Sequence, residues 1–485
     1  MVQFGTAGIR GPVASDVTPS VALAVGGAVG RLAVDESATD RPEIVIGRDG
    51  RLTGSALAAA VEAGVAAAGA RPIRVGQLPT PTLAFASRGR YGIMLTASHN
   101  PPADNGIKCF ADGQEFDDDR EARIETAVAA GESVAAFDEW GETHRAEPLA
   151  DYRSAVVTYV TSHHDDAGDP CADLRVAVDC GNGMAALATP QVLRSLGAGV
   201  VALNANVDGT FPGRPSKPTP ETLGDLQEFV AAGGFDLGIA HDGDADRIVI
   251  LDSDGEIVHE DTVVAMLAGY YTRRAVADSD TAAENHADAA DATAADPVVV
   301  TTPNASGRID EIVADAGGRV ERVRLGALHE GIAAAERDGG EVVFAAEPWK
   351  HIHPAFGGWI DGVASAALIA RLAATHGLGN LGEPITERPY RKISVDCPEA
   401  AKSPAMAILE SSLPEAFSEA TVSLDHGVRL SLPDGSWLLV RPSGTEPYIR
   451  LYAESESVDS LVETATERIE AAVDDASSAT TATAD

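Results

Sequence analysis

Thr96-Ala97-Ser98-His99-Asn100-Pro101 sets a serine hydroxyl in a short run of small polar residues that Pro101 and Pro102 stop. A serine on a rigid loop beside a metal can serve as nucleophile or phosphoryl carrier, and one on an ordinary turn does neither. The prolines predict a tight, exposed loop after a strand. Lys108 follows in Asp104-Asn105-Gly106-Ile107-Lys108, and only Lys217, Lys350, Lys392 and Lys402 join it in the whole chain. It suits a general acid/base or a phosphate clamp, with a solvated surface group as the plain alternative.

Asp242-Gly243-Asp244-Ala245-Asp246-Arg247 spaces three carboxylates at i, i+2 and i+4. In an extended loop such side chains project to one side. Three hard oxygen ligands gathered without paired bases are costly unless a divalent cation neutralises them. A calcium-binding EF-hand loop does not fit, because Arg247 stands where its glycine is needed and Ser253 where its glutamate is. The expected neighbours are also strands. Magnesium is the natural ion for a site that also handles phosphate, and an acidic turn in an acidic protein is the competing reading.

Arg441-Pro442-Ser443-Gly444-Thr445-Glu446-Pro447, followed by Arg450, combines two guanidinium groups, two hydroxyls and a glycine-opened backbone. These are the parts of a phosphate cradle. No Gly-Lys-Ser/Thr occurs, so it is not a nucleotide P-loop. Glu347-Pro348-Trp349-Lys350-His351, with Trp359 and Asp361 beyond, holds two of the four tryptophans beside a carboxylate, a lysine and a histidine. Aromatic faces with hydroxyl-binding groups suit a sugar. Core tryptophans would look the same.

The elements that must hold these loops alternate. Short β-branched runs at Glu43 to Ile46, Ile73 to Val75 and Gly92 to Thr96 flank an alanine-rich helix, Ser55 to Ala70, with Ser55 a candidate N-cap. A second α/β block, residues 151–255, opens with Arg175 to Asp179 and sets the acidic loop between strands Asp236 to Ala240 and Arg247 to Leu251. A third, 256–386, contains Val298 to Thr302, Val342 to Ala346 and the helix Gly362 to Thr375. From 387 to 470 short strands lead into one helix, Val458 to Glu470, as in a smaller α+β unit. The predicted class is α/β: three similar mixed or parallel domains, the first being 1–150, plus an α+β domain around a central cleft. Asp278 to Asp296 and Ala471 to Asp485 carry acids and no Lys or Arg, and read as a disordered insert and tail.

At 485 residues the chain is too long for one core. Its 74 acids against 36 bases give a formal charge of -38, a field that repels nucleic acid and anionic membranes. That surface suits concentrated salt, where ions screen the self-repulsion. Four scattered cysteines, no apolar run of membrane-spanning length and no signal-like N-terminus point to a reducing cytoplasm. Oligomeric state is not legible.

Taken together, the four loops resemble the α-D-phosphohexomutase superfamily, which contains phosphoglucomutase, phosphomannomutase and phosphoglucosamine mutase. The likeness runs from Phe4 to about Glu470 and includes Phe4-Gly5-Thr6-Ala7-Gly8-Ile9-Arg10-Gly11, Gly47-Arg48-Asp49, Val178 to Gly183 and Asn204 to Pro212. It implies four domains around one cleft and a hexose 1-phosphate/6-phosphate mutase acting through a 1,6-bisphosphate. Ser98 would be the phosphoserine and join Asp242, Asp244 and Asp246 around magnesium. Arg10, His99, Lys108 and Arg247 would stabilise charge or move the proton, with Lys108 the first choice as acid/base. Glu347, Lys350 and His351 would meet the sugar, and Arg441, Ser443, Gly444, Thr445 and Arg450 its phosphate. The sugar loop departs from the family's Glu-x-Ser-Gly-His, with Trp349 and Lys350 replacing Ser and Gly. Lys350 is expected to hydrogen-bond sugar or phosphate, with Trp349 limiting how the ring sits. A metal-dependent sugar-phosphate phosphatase and a non-catalytic sugar-phosphate sensor are the competing functions.

Overall fold

The computed structural model describes residues 2–5, 8–131, 134–162, 169–285, 296–443 and 446–482. They fall into two compact units. One comprises Met1–Val263 with Val343–Gly382, and the other Val264–Val342 with Glu383–Asp485. The class is α/β with several mixed sheets, as expected.

The first unit opens with a seven-stranded sheet. Ile44, Val45 and Ile46 are all buried on its strand Glu43–Arg48, which is parallel to Arg71–Gln77 and to Tyr91–Leu95. A continuous β-branched run covered on both faces is what a central parallel strand requires. Asp104–Ala111 then pairs antiparallel with Tyr91–Leu95 and with Ile9–Pro12, which places Arg10 opposite Gly106. Helix Pro19–Glu36 starts with Thr18 accepting a hydrogen bond from Val21 N at 3.3 Å and proline at its first position. It crosses helix Gly54–Ala67 so closely that a Cβ on Gly64 would lie 2.2 Å from the Leu23 carbonyl oxygen. Ser55 is not the N-cap. The helix begins at Gly54, and Thr53 at the cap position accepts from Asn105 Nδ2 at 3.0 Å instead of bonding its own first turn.

A second sheet in the same unit runs Ile248–Leu251, Leu237–His241, Arg175–Asp179, Gly199–Leu203, with only the first pair antiparallel. The loop 242–247 therefore joins two adjacent strands. The hairpin Glu341–Glu347 and Lys350–Ile352 pairs Glu347 with Lys350 across Pro348-Trp349.

In the second unit Pro297–Thr301 runs parallel to Arg319–Arg322. A five-stranded antiparallel sheet packs against helices Glu399–Ala416 and Val458–Ala482. Two expectations of disorder fail over their described parts, while 286–295 and 483–485 lie outside the described residues. The C-terminal helix continues to Ala482, because Ala472, Val473 and Ala476 bury against the core of that sheet. Asp278 to Asn285 belong to the helix Glu260–Asn285, while Asp296 pairs with Arg319 at 3.0 Å. Among the described residues no helix is long and apolar enough to cross a membrane.

Candidate active site

Ser98 is fully buried, contrary to the exposed loop that its sequence suggests. The reason lies 47 positions upstream. All five N–H donors of Arg51 are used. Its Nε meets Asp49 Oδ2 at 3.0 Å, and its two amino groups donate to the carbonyls of Pro101, Asp104, Ser98 and Asn100 at 2.6, 2.9, 2.9 and 2.8 Å. Thr96 Oγ1 donates to Asp49 at 2.9 Å and accepts from Ser98 N at 2.9 Å. Burial pushes the Asp49 carboxyl up to about 6 despite the Arg51 charge. So pinned, Ser98 holds a left-handed φ of 50°, and its Oγ donates to Asp242 Oδ2 at 2.6 Å with His99 Nδ1 3.2 Å away. Gly243 has to be glycine, since a Cβ there would lie 2.5 Å from the Ser98 carbonyl oxygen.

The aspartate loop is closed at its base by His241, whose Nδ1 donates to the Arg247 carbonyl at 2.7 Å while Nε2 meets Thr189 Oγ1 at 3.0 Å. Burial lowers the His241 imidazole to about 4, so it stays neutral. Arg214 adds a second clamp, bonding the His241 carbonyl at 2.7 Å and Asp179 at 2.6 Å. Ligand atoms of Asp242, Asp244 and Asp246 lie within 4.8 Å of one another, all buried. Thr80 Oγ1 takes one oxygen of Asp244 at 2.6 Å. The Oδ1 atoms of Asp244 and Asp246 have no hydrogen-bond partner, which is the fit a hard cation needs.

The triad is not free of bases, however. Lys108 Nζ lies 2.8 Å from Asp246 and 3.2 Å from Glu115, and Arg247 Nε stands 3.8 Å from both Asp242 and Asp246. Burial, and then the two neighbouring carboxylates, push Asp242 well up, whereas for Asp246 the Lys108, Arg247 and Lys350 charges outweigh burial and hold it low. Burial also works against the Lys108 ammonium, but Asp246 and Glu115 more than offset it and raise it. His99 is lowered to about 3 by burial and by the Arg247 and Arg10 charges, which leaves it neutral beside Ser98. Arg10 Nε is buried without a partner.

Three of the left-handed non-glycine residues sit at the tips of these loops: Ser98 at φ 50°, Ala245 at 62° and Trp349 at 64°. Such strain persists only where surrounding contacts over-determine it. Trp349 follows a proline at the turn position where a left-handed residue, usually glycine, is required. Its carbonyl accepts from Ile248 N at 3.1 Å, Lys350 bridges Arg247 through the backbone, and its side chain packs against the core around Leu226 and Val249. The ring is only partly buried by that packing. Trp359 is core, with Nε1 bonded to Asp361 at 2.9 Å and a T-shaped contact to Phe85. Lys350 Nζ is 3.2 Å from Glu347, and His351 turns inward, its Nδ1 3.0 Å from Ser365 Oγ.

In the second unit Ser443 N bonds the Tyr448 carbonyl at 3.0 Å and Ser443 Oγ is buried without a partner. Lys402, unremarked in the sequence, donates to the Ser443 carbonyl at 2.7 Å. Arg441 reaches Tyr452 Oη at 3.0 Å and Arg450 reaches Glu446 at 3.0 Å. Gly444 and Thr445, like Thr6 and Ala7 of the opening loop, lie outside the described residues.

Sequence reasoning also passed over Arg51, Thr80, Arg214 and His241. Arg51, two residues beyond Gly47-Arg48-Asp49, Arg214, two beyond Asn204 to Pro212, and His241, directly before Asp242, stood next to a quoted motif, and Thr80 did not. Arg51→Lys is expected to lower turnover about 100-fold while magnesium still binds, because a lysine cannot reproduce the planar fork and a small misplacement of the nucleophile is expensive. Turnover within threefold of the parent would remove Arg51 from the positioning role.

A buried serine hydroxyl on a carboxylate triad, held by two arginine clamps on an α/β scaffold, defines a phosphoryl-transfer class of site. Family models of the phosphoglucomutase/phosphomannomutase alpha/beta/alpha domains I and II match residues 1–135 and 150–255, and that of the C-terminal domain matches 393–471. The phosphopentomutase of Thermococcus kodakarensis is 39% identical, with 94% of each chain covered. The probable phosphoglucosamine mutase of Methanopyrus kandleri is also 39% identical over 94% of each. Among solved structures, a phosphoglucomutase/phosphomannomutase family protein of Burkholderia thailandensis has the same fold, with a TM-score of 0.79 at 22% identity over 97% of both chains. The chain belongs to the α-D-phosphohexomutase superfamily and is an enzyme of the mutase class.

Proposed function

We propose that this mutase moves a phosphoryl group between the 1- and 6-positions of a hexose by way of Ser98. The carrying observation is Ser98 Oγ at 2.6 Å from Asp242, inside a buried triad with two unpartnered carboxylate oxygens. Phosphorylated Ser98 gives its phosphoryl to a sugar hydroxyl: the Oγ–P bond breaks, a new P–O bond forms, and the hydroxyl proton passes, with Lys108 as the acid/base, to the Ser98 Oγ that is released. The resulting 1,6-bisphosphate returns its other phosphoryl to Ser98 after turning over. Asp242, Asp244, Asp246 and the phosphoserine would hold magnesium, which would supply charge neutralisation. Arg247 and Arg10 add fixed positive charge, Lys108 takes and returns the proton, and neutral His99 hydrogen-bonds the serine oxygen. Glu347, Lys350 and His351 form the sugar-facing turn, with His351 needing to swing outward to contact it. Arg441, Ser443, Gly444, Thr445 and Arg450 bind the distal phosphate, where the unpartnered Ser443 Oγ awaits an acceptor.

The domain reading is 1–150, 151–255, 256–386 and a C-terminal domain from 387. We place the enzyme in a salt-rich cytoplasm, on its charge of -38 and four free, buried cysteines. Incubation with glucose, mannose or glucosamine 1-phosphate, magnesium and catalytic 1,6-bisphosphate should yield the 6-phosphate by NMR without free phosphate. Stoichiometric phosphate release would favour a phosphatase, and binding without turnover a sensor.

A further inference from the structure

The turn that carries Lys350 departs from a hydroxyl-and-glycine turn in its chemistry as well as its backbone. Lys350 Nζ lies 3.2 Å from Glu347 Oε2, with side-chain exposures of only 13% and 11%. The carboxylate is therefore neutralised from within its own turn. His351 is directed to Ser365, so it does not take that place. Lys350 is also tied by its backbone to Arg247, itself beside Asp242 and Asp246, so the ammonium belongs to the same unit and the same group of loops as Ser98.

We propose that Lys350 selects neutral sugar phosphates and sets this site against amino-sugar phosphates. The inference rests on the mutase reading above, with the Glu347 turn facing the sugar. A lysine ammonium has three donors and no acceptor. A sugar hydroxyl offers it lone pairs, whereas a protonated sugar amine offers none and carries the same charge. A free carboxylate at Glu347 would attract that amine, but one already paired with lysine does so far less. The element that discriminates is thus repulsive as well as attractive, which is how a site built from a few polar groups separates close analogues.

The test compares kcat/KM for glucose 1-phosphate and glucosamine 1-phosphate in the parent, Lys350→Met and Lys350→Arg. The ratio within one preparation does not depend on the fraction of folded enzyme. The parent should favour the neutral sugar by about 30-fold, the loss expected when a charge-assisted hydrogen bond is replaced by a donor–donor clash. Lys350→Met should shrink the ratio at least about tenfold, chiefly by gain on the amino sugar at the freed Glu347, and Lys350→Arg should keep it. A parent that prefers glucosamine 1-phosphate, or a ratio unchanged in the methionine variant, overturns the proposal while leaving the mutase reading intact. A parent inactive on both sugars with unphosphorylated Ser98 overturns the mutase reading and this inference with it.

Discussion

Ser98→Ala is expected to lower mutase turnover by on the order of 10⁴-fold, since it removes the atom that carries the phosphoryl group rather than one that assists it. Intact-mass analysis of the active parent should show a species heavier by about 80 Da, one phosphoryl group, and the alanine variant should lack it. The fold should survive. Alanine accommodates φ 50° no worse than serine, and the Arg51 bonds to the loop run through backbone carbonyls that the substitution leaves in place. What is lost is the hydrogen bond to Asp242, worth about 1.5 to 3 kcal/mol because its acceptor is a carboxylate. An alanine variant with a tenth of parental activity, or a parent in which the added mass sits on another residue, would sink the phosphoserine assignment.

Asp244→Asn separates a metal site from an acidic turn by the sign of its effects. In the metal-free protein Asp242 and Asp246 both bear on each other through low-dielectric surroundings, and Asp244 adds to the load on Asp242. Replacing one carboxylate by an amide relieves that repulsion, so the metal-free variant should melt no lower than the parent. Magnesium at 100 times its dissociation constant should stabilise the parent by about 2.7 kcal/mol. The amide offers an uncharged oxygen to a hard cation, so most of that stabilisation should vanish at the same concentration and turnover should fall about 100-fold or more. Excess chelator should abolish activity in the parent. The prediction fails if magnesium raises the melting temperature of both proteins equally, or if chelation leaves turnover unchanged.

What could be read directly was what depends on neighbours in the chain. Three aspartates at alternate positions between two β-branched runs declare a loop that gathers carboxylates, because strand, loop and spacing all lie within Leu237 to Leu251. The same holds for a serine after the strand Tyr91–Leu95 and for arginines and hydroxyls in one turn at Arg441. Local pattern also misled where burial is settled elsewhere. Prolines after Ser98 suggested exposure, and Pro101 and Pro102 are exposed, yet a guanidinium from residue 51 holds Ser98 itself inward. The alanine-rich residues after Glu470 looked like a tail, since alanine gains little from burial until a sheet face is present to receive Ala472 and Ala476.

Only the tertiary structure decided which charges face one another. Lys108 meets Asp246 from 138 residues away, Thr80 meets Asp244 from 164, and Ser98 meets Asp242 from 144. These pairings give Asp246 a lysine partner while it and Asp244 each keep an oxygen to spare, and they tie Asp242 to the nucleophile. The residue types and their local order were the sequence's to determine. Protonation, orientation and strain were not, because each follows from partners that the chain brings together only when its sheets have formed.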